Sequence, residues 1–115
     1  MTALAQDFTV WQGEYKPIDV TVYEPDGIAR KNITGATITW IIKKRVNTEV
    51  LVTKSTDSGI IITSATEGEF SITLNPVDTN LSAGKYYHEA RSVINDEPET
   101  ILVGELTIKE SGFRT

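Results

Sequence analysis

The sequence predicts an all-β protein, a β-sandwich of seven to eight antiparallel strands. Three observations carry that prediction. Apolar residues recur with period two rather than 3.6 along nearly the whole chain. Each alternating run is followed by turn-forming residues. No segment reads as a helix longer than about two turns, the best candidate being "VDTNLSAG" at 77–84.

The elements follow in order. "FTVW" sets Phe8 and Val10 against Thr9 and Trp11, and "PIDVTVYE" places Ile18, Val20 and Val22 on one face with Asp19, Thr21 and Tyr23 on the other. "EPDG" at 24–27 has proline second and glycine fourth, the type I turn preference. "ATITWIIKK" aligns Ile38, Trp40 and Ile42, and "EVLVTK" is a shorter run. "GIIITS" is continuously apolar, which fits a strand covered on both sides or an edge strand. "EFSITLN" alternates Phe70, Ile72 and Leu74 with Ser71 and Thr73. "GKYYHEARSVI" and "TILVGELTIKE" close the series. "NITGA", "TDSG", "ATEGE" and "NDEPE" supply turns between them. At 115 residues the chain makes one domain, with a core over about 7–109 and frayed ends at 1–6 and 111–115.

Composition narrows the chemistry. The chain has no cysteine, so disulfides, thiolate metal sites and thiol catalysis are excluded. The start "MTALAQDF" lacks the basic and long apolar regions of a signal peptide, and no apolar run reaches membrane-span length. The sequons at Asn32 and Asn80 then read as chance matches. The net charge of −5 sits in the second half, where nine acidic residues face four basic ones. An acidic surface repels phosphate backbones, so nucleic acid is not an expected partner. The basic run Lys43–Lys44–Arg45 reads as a solvated strand end, with an anion or partner contact as the alternative.

"AGKYYHE" at 83–89 holds the only histidine. A tyrosine two residues before an inward position, preceded by a loop and a glycine, is the pattern of a tyrosine corner. Tyr86 then pins its preceding loop, Gly84 opens the strand, Tyr87 faces out and His88 faces in. Trp40, on the third long strand, takes the place of a core tryptophan. Together these make the expected sandwich immunoglobulin-like. His88 as a base or metal ligand lacks partners, since no second histidine exists and Glu89 points to the opposite strand face. No catalytic residue, cofactor site or metal site is therefore assigned. "NDEPE" lacks the alternating spacing of a calcium loop. Trp11, Tyr23 and Tyr87 are expected to face outward, as a protein interface or a carbohydrate platform.

The order of these pieces resembles a known family. "DFTVWQGEYKPIDVTVYEPDG", "NITGATITWIIKK", "GEFSITLNPVDTNLSAGKYYHEARSV" and "ILVGELTIKE" are similar to the N-terminal immunoglobulin-like domain of siphophage upper baseplate proteins, and to related small tail and neck modules. The shared pattern is a Q-G-[DE]-x-x-P start, a DG turn, an [IL]-T-G-A-T strand entry, a D-T-x-x-L-x-x-G-x-Y corner and a closing G-x-L-x-[IV] strand. The resemblance implies a building block of a virion, made in the host bacterial cytoplasm, without catalysis or cofactor. Its implied partners are other virion structural proteins, with self-association an open option. In that family the domain usually begins a longer chain; a free-standing module would serve as a neck, baseplate or capsid accessory protein.

Overall fold

The computed structural model describes residues 4–24, 27–45 and 48–112. The protein is all-β, as its periodicity dictates. Among the described residues nine strands form: β1 (Leu4–Ala5), β2 (Phe8–Trp11), β3 (Lys16–Thr21), β4 (Thr37–Lys43), β5 (Val50–Thr56), β6 (Gly59–Ser64), β7 (Glu69–Leu74), β8 (Gly84–Ile94) and β9 (Glu97–Lys109). One helical turn, α1 (Pro76–Thr79), lies between β7 and β8. The first strand is split in two at Gln6–Asp7. The Asp7 carboxylate there accepts the Glu105 amide at 2.9 Å, a bond outside the regular ladder.

The strands are hydrogen-bonded in the order β1-β9-β8-β4-β5-β6-β7-β3, with β2 also on β9. The expected all-antiparallel arrangement is corrected to a mixed sheet. β1 and β2 run parallel to β9, and β5 meets β6 in parallel over two residue pairs, Ser55↔Gly59 and Thr56↔Ile60. The second exception comes from the backbone. Asp57 at φ 67 and Gly59 at φ 100 coil the chain so tightly that β6 continues in the direction of β5. Two antiparallel runs result, β3-β7-β6 and β5-β4-β8-β9, joined at that coil.

Both runs turn their apolar faces to one core. Ile18, Val20, Phe70 and Ile72 come from the first, and Ile38, Trp40, Leu106 and Ile108 from the second, all nearly or fully excluded from solvent. Of the two readings of "GIIITS", β6 follows the edge strand and not the strand covered on both sides. Ile60 is buried, but Ile61 is 64% exposed, so the strand is covered on one face only. Nothing packs outside it, and the two-pair contact with β5 leaves most of one edge unpaired.

The turns follow their chemistry. Asn32 Oδ1 accepts the Thr34 amide at 2.9 Å, closing "NITGA" as an Asx turn. Asn95 and Asp96 both adopt positive φ, 54° and 64°, the two-residue hairpin geometry that suits a twisted β8–β9 ribbon. Gly27 donates to the Glu24 carbonyl at 2.8 Å, while the middle residues of that expected type I turn, 25 and 26, lie outside the described residues. So do 1–3 and 113–115 of the ends read as frayed. The inner parts of those ends are ordered by pairing: Leu4 and Ala5 join β9, and the Ser111 amide donates to Gln12 Oε1 at 3.1 Å.

Gly104 is the position at which β9 tolerates no side chain. A Cβ there would run into the Gln6 carbonyl and stand 2.8 Å from His88 Nε2. Gly104→Ala must therefore push the N-terminal strand off β9. We expect a loss of about 2–4 kcal/mol by chemical denaturation, in the range of overpacked buried sites. A loss under about 0.5 kcal/mol would show that the strand yields freely.

Candidate protein-docking surface

The stretch Gly84–Glu89 holds the residues read as structural, and the geometry gives each a task. Along β8 the burial alternates: Tyr86 and His88 point inward, Tyr87 and Glu89 outward. The Tyr86 hydroxyl donates to the Ser82 carbonyl at 2.6 Å, four residues back, which is a tyrosine corner. Gly84 starts the strand at φ 146, a value L side chains rarely adopt, and a Cβ there would lie 3.3 Å from Lys44 Nζ.

His88 is fully buried and lies between Trp40 and the N-terminal strand. Its Nδ1 is 3.1 Å from Trp40 Nε1, and its Nε2 is 2.7 Å from the Gln6 carbonyl oxygen. Indole is only a donor and a carbonyl only an acceptor. Both constraints select one form: the neutral tautomer with the proton on Nε2, donating to Gln6 and accepting from Trp40. The Phe8 ring packs on it with centroids 4.8 Å apart. Burial lowers the pKa of His88, against the opposing pull of the Gln6 hydrogen bond and the Asp7 charge. A second proton would set an N–H on Nδ1 facing the indole N–H. The ring thus has no lone pair left for a substrate or metal, and it lines none of the surface depressions described below.

Further residues that sequence inspection passed over hold the same end together. The buried Gln12 side chain donates to the Leu81 carbonyl at 2.9 Å while accepting from Ser111. The buried Thr79 hydroxyl donates to the Glu14 carbonyl at 2.9 Å. The Asp78 carboxylate accepts the Asn75 amide at 2.8 Å and pairs with Lys54 at 2.7 Å. Most of the Q-G-E start and the D-T-x-x-L-x-x-G-x-Y corner therefore meets in one knot of hydrogen bonds. The signal was the spacing of Gln12, Thr79 and Leu81, but their pairing across 65–69 positions is invisible without the fold.

That knot holds the exposed side chains at this end. Trp11 is 50% exposed, with Lys109 Nζ 5.5 Å from its ring centroid. Tyr15 and Val77 are exposed nearby on either side of the Glu14–Thr79 bond. A depression of about 530 Å³ is lined by Trp11, Gln12, Gly13, Glu14, Ser111 and Gly112. Lys44 lies over the outer side of Tyr86, 4.4 Å from the ring centroid. The expected solvated strand end holds for Lys44 and Arg45, both exposed, while Lys43 is half-buried as the last residue of β4.

The three aromatics expected to face outward are not brought together. Trp11 and Tyr87 share the outer face of the β4-β8-β9-β2 run, on strands separated by β9. Tyr87 is half-buried, and its hydroxyl donates to Glu89 Oε1 at 2.6 Å. Burial first, then that bond and the Glu89 charge, push its pKa up to about 12. Glu89 in turn lines a shallow depression of about 370 Å³ with Thr39, Ile41, Lys43 and Arg91. Tyr23 lies past the far end of β3, bridged to Arg30. β3 starts near the Trp11 end, with Lys16 paired to Leu74, and Tyr23 follows its far end at Thr21, so Tyr23 and Trp11 lie at opposite ends of that strand and no common sugar platform forms.

Among the described residues no helix is long and apolar enough to cross a membrane, and no group of three acidic or histidine residues is placed to hold a metal. At the "NDEPE" hairpin, Glu99 pairs with Lys31 at 3.2 Å. No protein-family model matches the chain, and no curated protein is significantly similar to it.

Two measurements test the site. The folded-state pKa of His88 is below its ordinary value of about 6.5, so between the two the unfolded chain binds a proton that the native state refuses. Stability is complete above about pH 6.5 and falls as the pH drops below it, by at most about 1.4 kcal/mol per pH unit from this group. Long-range nitrogen–proton NMR should report the neutral Nε2–H tautomer as the main native form at about pH 6.5; a mostly imidazolium signal in the native state at that pH would contradict the assignment. Tyr86→Phe strands the Ser82 carbonyl and should cost about 1–3 kcal/mol in denaturant unfolding, with the fold intact. An unchanged midpoint would remove the corner's role.

Proposed function

We propose that the protein is a non-enzymatic assembly module of a phage or prophage virion, acting through protein–protein contact in a tail, baseplate or neck. The observation that carries this reading is the end around Trp11. An aromatic side chain is held half out of solvent by a buried hydrogen-bond knot instead of being folded into the core. Rigid exposed tryptophans with a polar surround are the residue type that anchors protein interfaces. The engagement of both His88 nitrogens supports the same reading, because the single candidate base is committed to structure. The immunoglobulin-like reading of the fold is supported by the tyrosine corner, the buried tryptophan on β4 and one core shared by two antiparallel runs. The carbohydrate-binding alternative is weakened by the separation of Tyr23 from Trp11 and Tyr87.

The test is co-purification with the products of neighbouring virion-structure genes. The wild-type protein should form a stable complex with at least one of them. Trp11→Ala should weaken that complex about tenfold or more, as interface anchors do, while leaving the unfolding midpoint within about 0.5 kcal/mol of wild type. Absence of any complex with the co-encoded proteins would overturn the proposal.

A further inference from the structure

The molecule is elongated, 44 × 26 × 25 Å, and its strands run along the long axis. β9, at 13 residues, is by itself about 43 Å long at the usual rise per residue. The two ends of this rod differ in charge. At the end where β4, β9 and β2 finish and β8 begins lie Lys43, Lys44, Arg45, Lys85 and Lys109, around the exposed Trp11. Glu14, Glu49, Glu105 and Glu110 lie among them, with Lys85 paired to Glu105 at 3.7 Å, and α1 adds Asp78, which Lys54 neutralises at 2.7 Å; with Lys16 at the start of β3 the end stays net positive. At the other end, the β8–β9 hairpin tip and the turn before β7 carry Asp96, Glu97, Glu99, Glu67 and Glu69. Only Arg30 and Lys31 offset them, through pairs with Glu69 at 2.5 Å and Glu99 at 3.2 Å. The hairpin tip is also narrow, being two strands and a two-residue turn.

From this we infer that the basic, tryptophan-bearing end is a docking surface for a second copy of the same chain, which presents its acidic hairpin end. This inference deepens the assembly reading and rests on it. The argument is charge complementarity along one axis. A chain of net charge −5 would repel its own copies in most orientations, and end-to-end contact is the orientation that sets its positive region against its most acidic one. Such a contact joins two different surfaces, so it propagates head to tail and yields a ring where the rotation closes or a filament where it does not. Trp11, paired with Lys109 at the margin of this basic cluster, supplies apolar area beside charges, so that charges set orientation and the aromatic supplies affinity.

The experiment is sedimentation velocity of three proteins over a wide concentration range. The wild type should associate beyond a monomer at low salt, with the association constant falling about tenfold or more on reaching about 0.5 M salt, where charges are screened within a few ångströms. Two charge-reversed variants, Lys44→Glu/Arg45→Glu/Lys85→Glu and Asp96→Lys/Glu97→Lys, should each be monomeric alone, having two ends of like sign. Mixed one to one, they should associate again, because each supplies the end the other lacks. All the substituted residues are exposed, Lys44 alone among them lying over an inward-facing ring, that of Tyr86, and unfolding midpoints check that each variant is folded; Arg45→Glu/Lys85→Glu replaces the triple change if Lys44 proves needed for the fold. A wild type that stays monomeric at low salt, variants that associate alone, or a mixture that stays monomeric would each overturn the inference. If the wild type is monomeric yet still binds a co-encoded virion protein, the self-docking idea falls and the assembly reading stands.

Discussion

Everything about this protein's core depends on a three-part hydrogen bond with no cysteine in it. Trp40 on β4, His88 on β8 and the Gln6 carbonyl beside β9 are joined in a line, the indole N–H donating to one ring nitrogen of His88 and the other ring nitrogen donating to the carbonyl. The link fastens the N-terminal strand to the middle of the sheet at the point where β1 and β2 separate. It also fixes Gly104, because the ring and the Gln6 carbonyl fill the space that a side chain would need. A buried polar group is costly unless all its partners are present. Here they are: among the described residues, no buried side-chain nitrogen or oxygen lacks a hydrogen-bond partner. The arrangement therefore specifies one register and one tautomer, where an apolar cluster of equal volume would specify neither.

The same pairing commits the groups that sequence alone would nominate for chemistry. A histidine with both nitrogens committed does not serve as a base. The Tyr87–Glu89 pair on the outer face is tied to itself, and the raised tyrosine pKa takes that hydroxyl further from ionisation at neutral pH. Beyond these groups the described surface presents an exposed tryptophan beside a basic end, an acidic hairpin at the opposite end, and a long ribbon between them.

Much of this was legible in the sequence, for identifiable reasons. Period-two alternation placed Ile18, Val20, Ile38, Trp40, Phe70 and Ile72 inward, because side chains on a strand must alternate and only one face meets the core. Tyr86 and Gly84 were legible because a tyrosine corner is local, spanning four residues. The inward direction of His88 followed from counting two positions onward from Tyr86. What could not be read was long-range. The partners of His88 lie 48 and 82 positions away, and nothing in the local sequence around Gln6 marks its carbonyl as an acceptor. Gln12 and Thr79 looked like ordinary polar residues until the fold brought them to Leu81 and Glu14. The parallel pairings escaped for a similar reason: the direction of β6 is set by left-handed backbone at Asp57, a residue type that gives only a weak hint of it. The "GIIITS" run left two readings open because a continuous apolar run does not say whether one face or both will be covered; the exposed Ile61 decides between them.

The claim at the centre is that the His88 link is part of the cooperative core and opens only when the whole domain unfolds. Native-state hydrogen exchange of the Trp40 indole N–H, followed alongside the amides of β2 and β9, tests it most directly. The account predicts that the indole proton exchanges with the free energy of global unfolding and with its full denaturant dependence. An indole proton that exchanges far faster, through an opening with little denaturant dependence while the β8 and β9 amides stay protected, would contradict it. The link would then be a local contact, and the N-terminal strand would be held by its ladder alone.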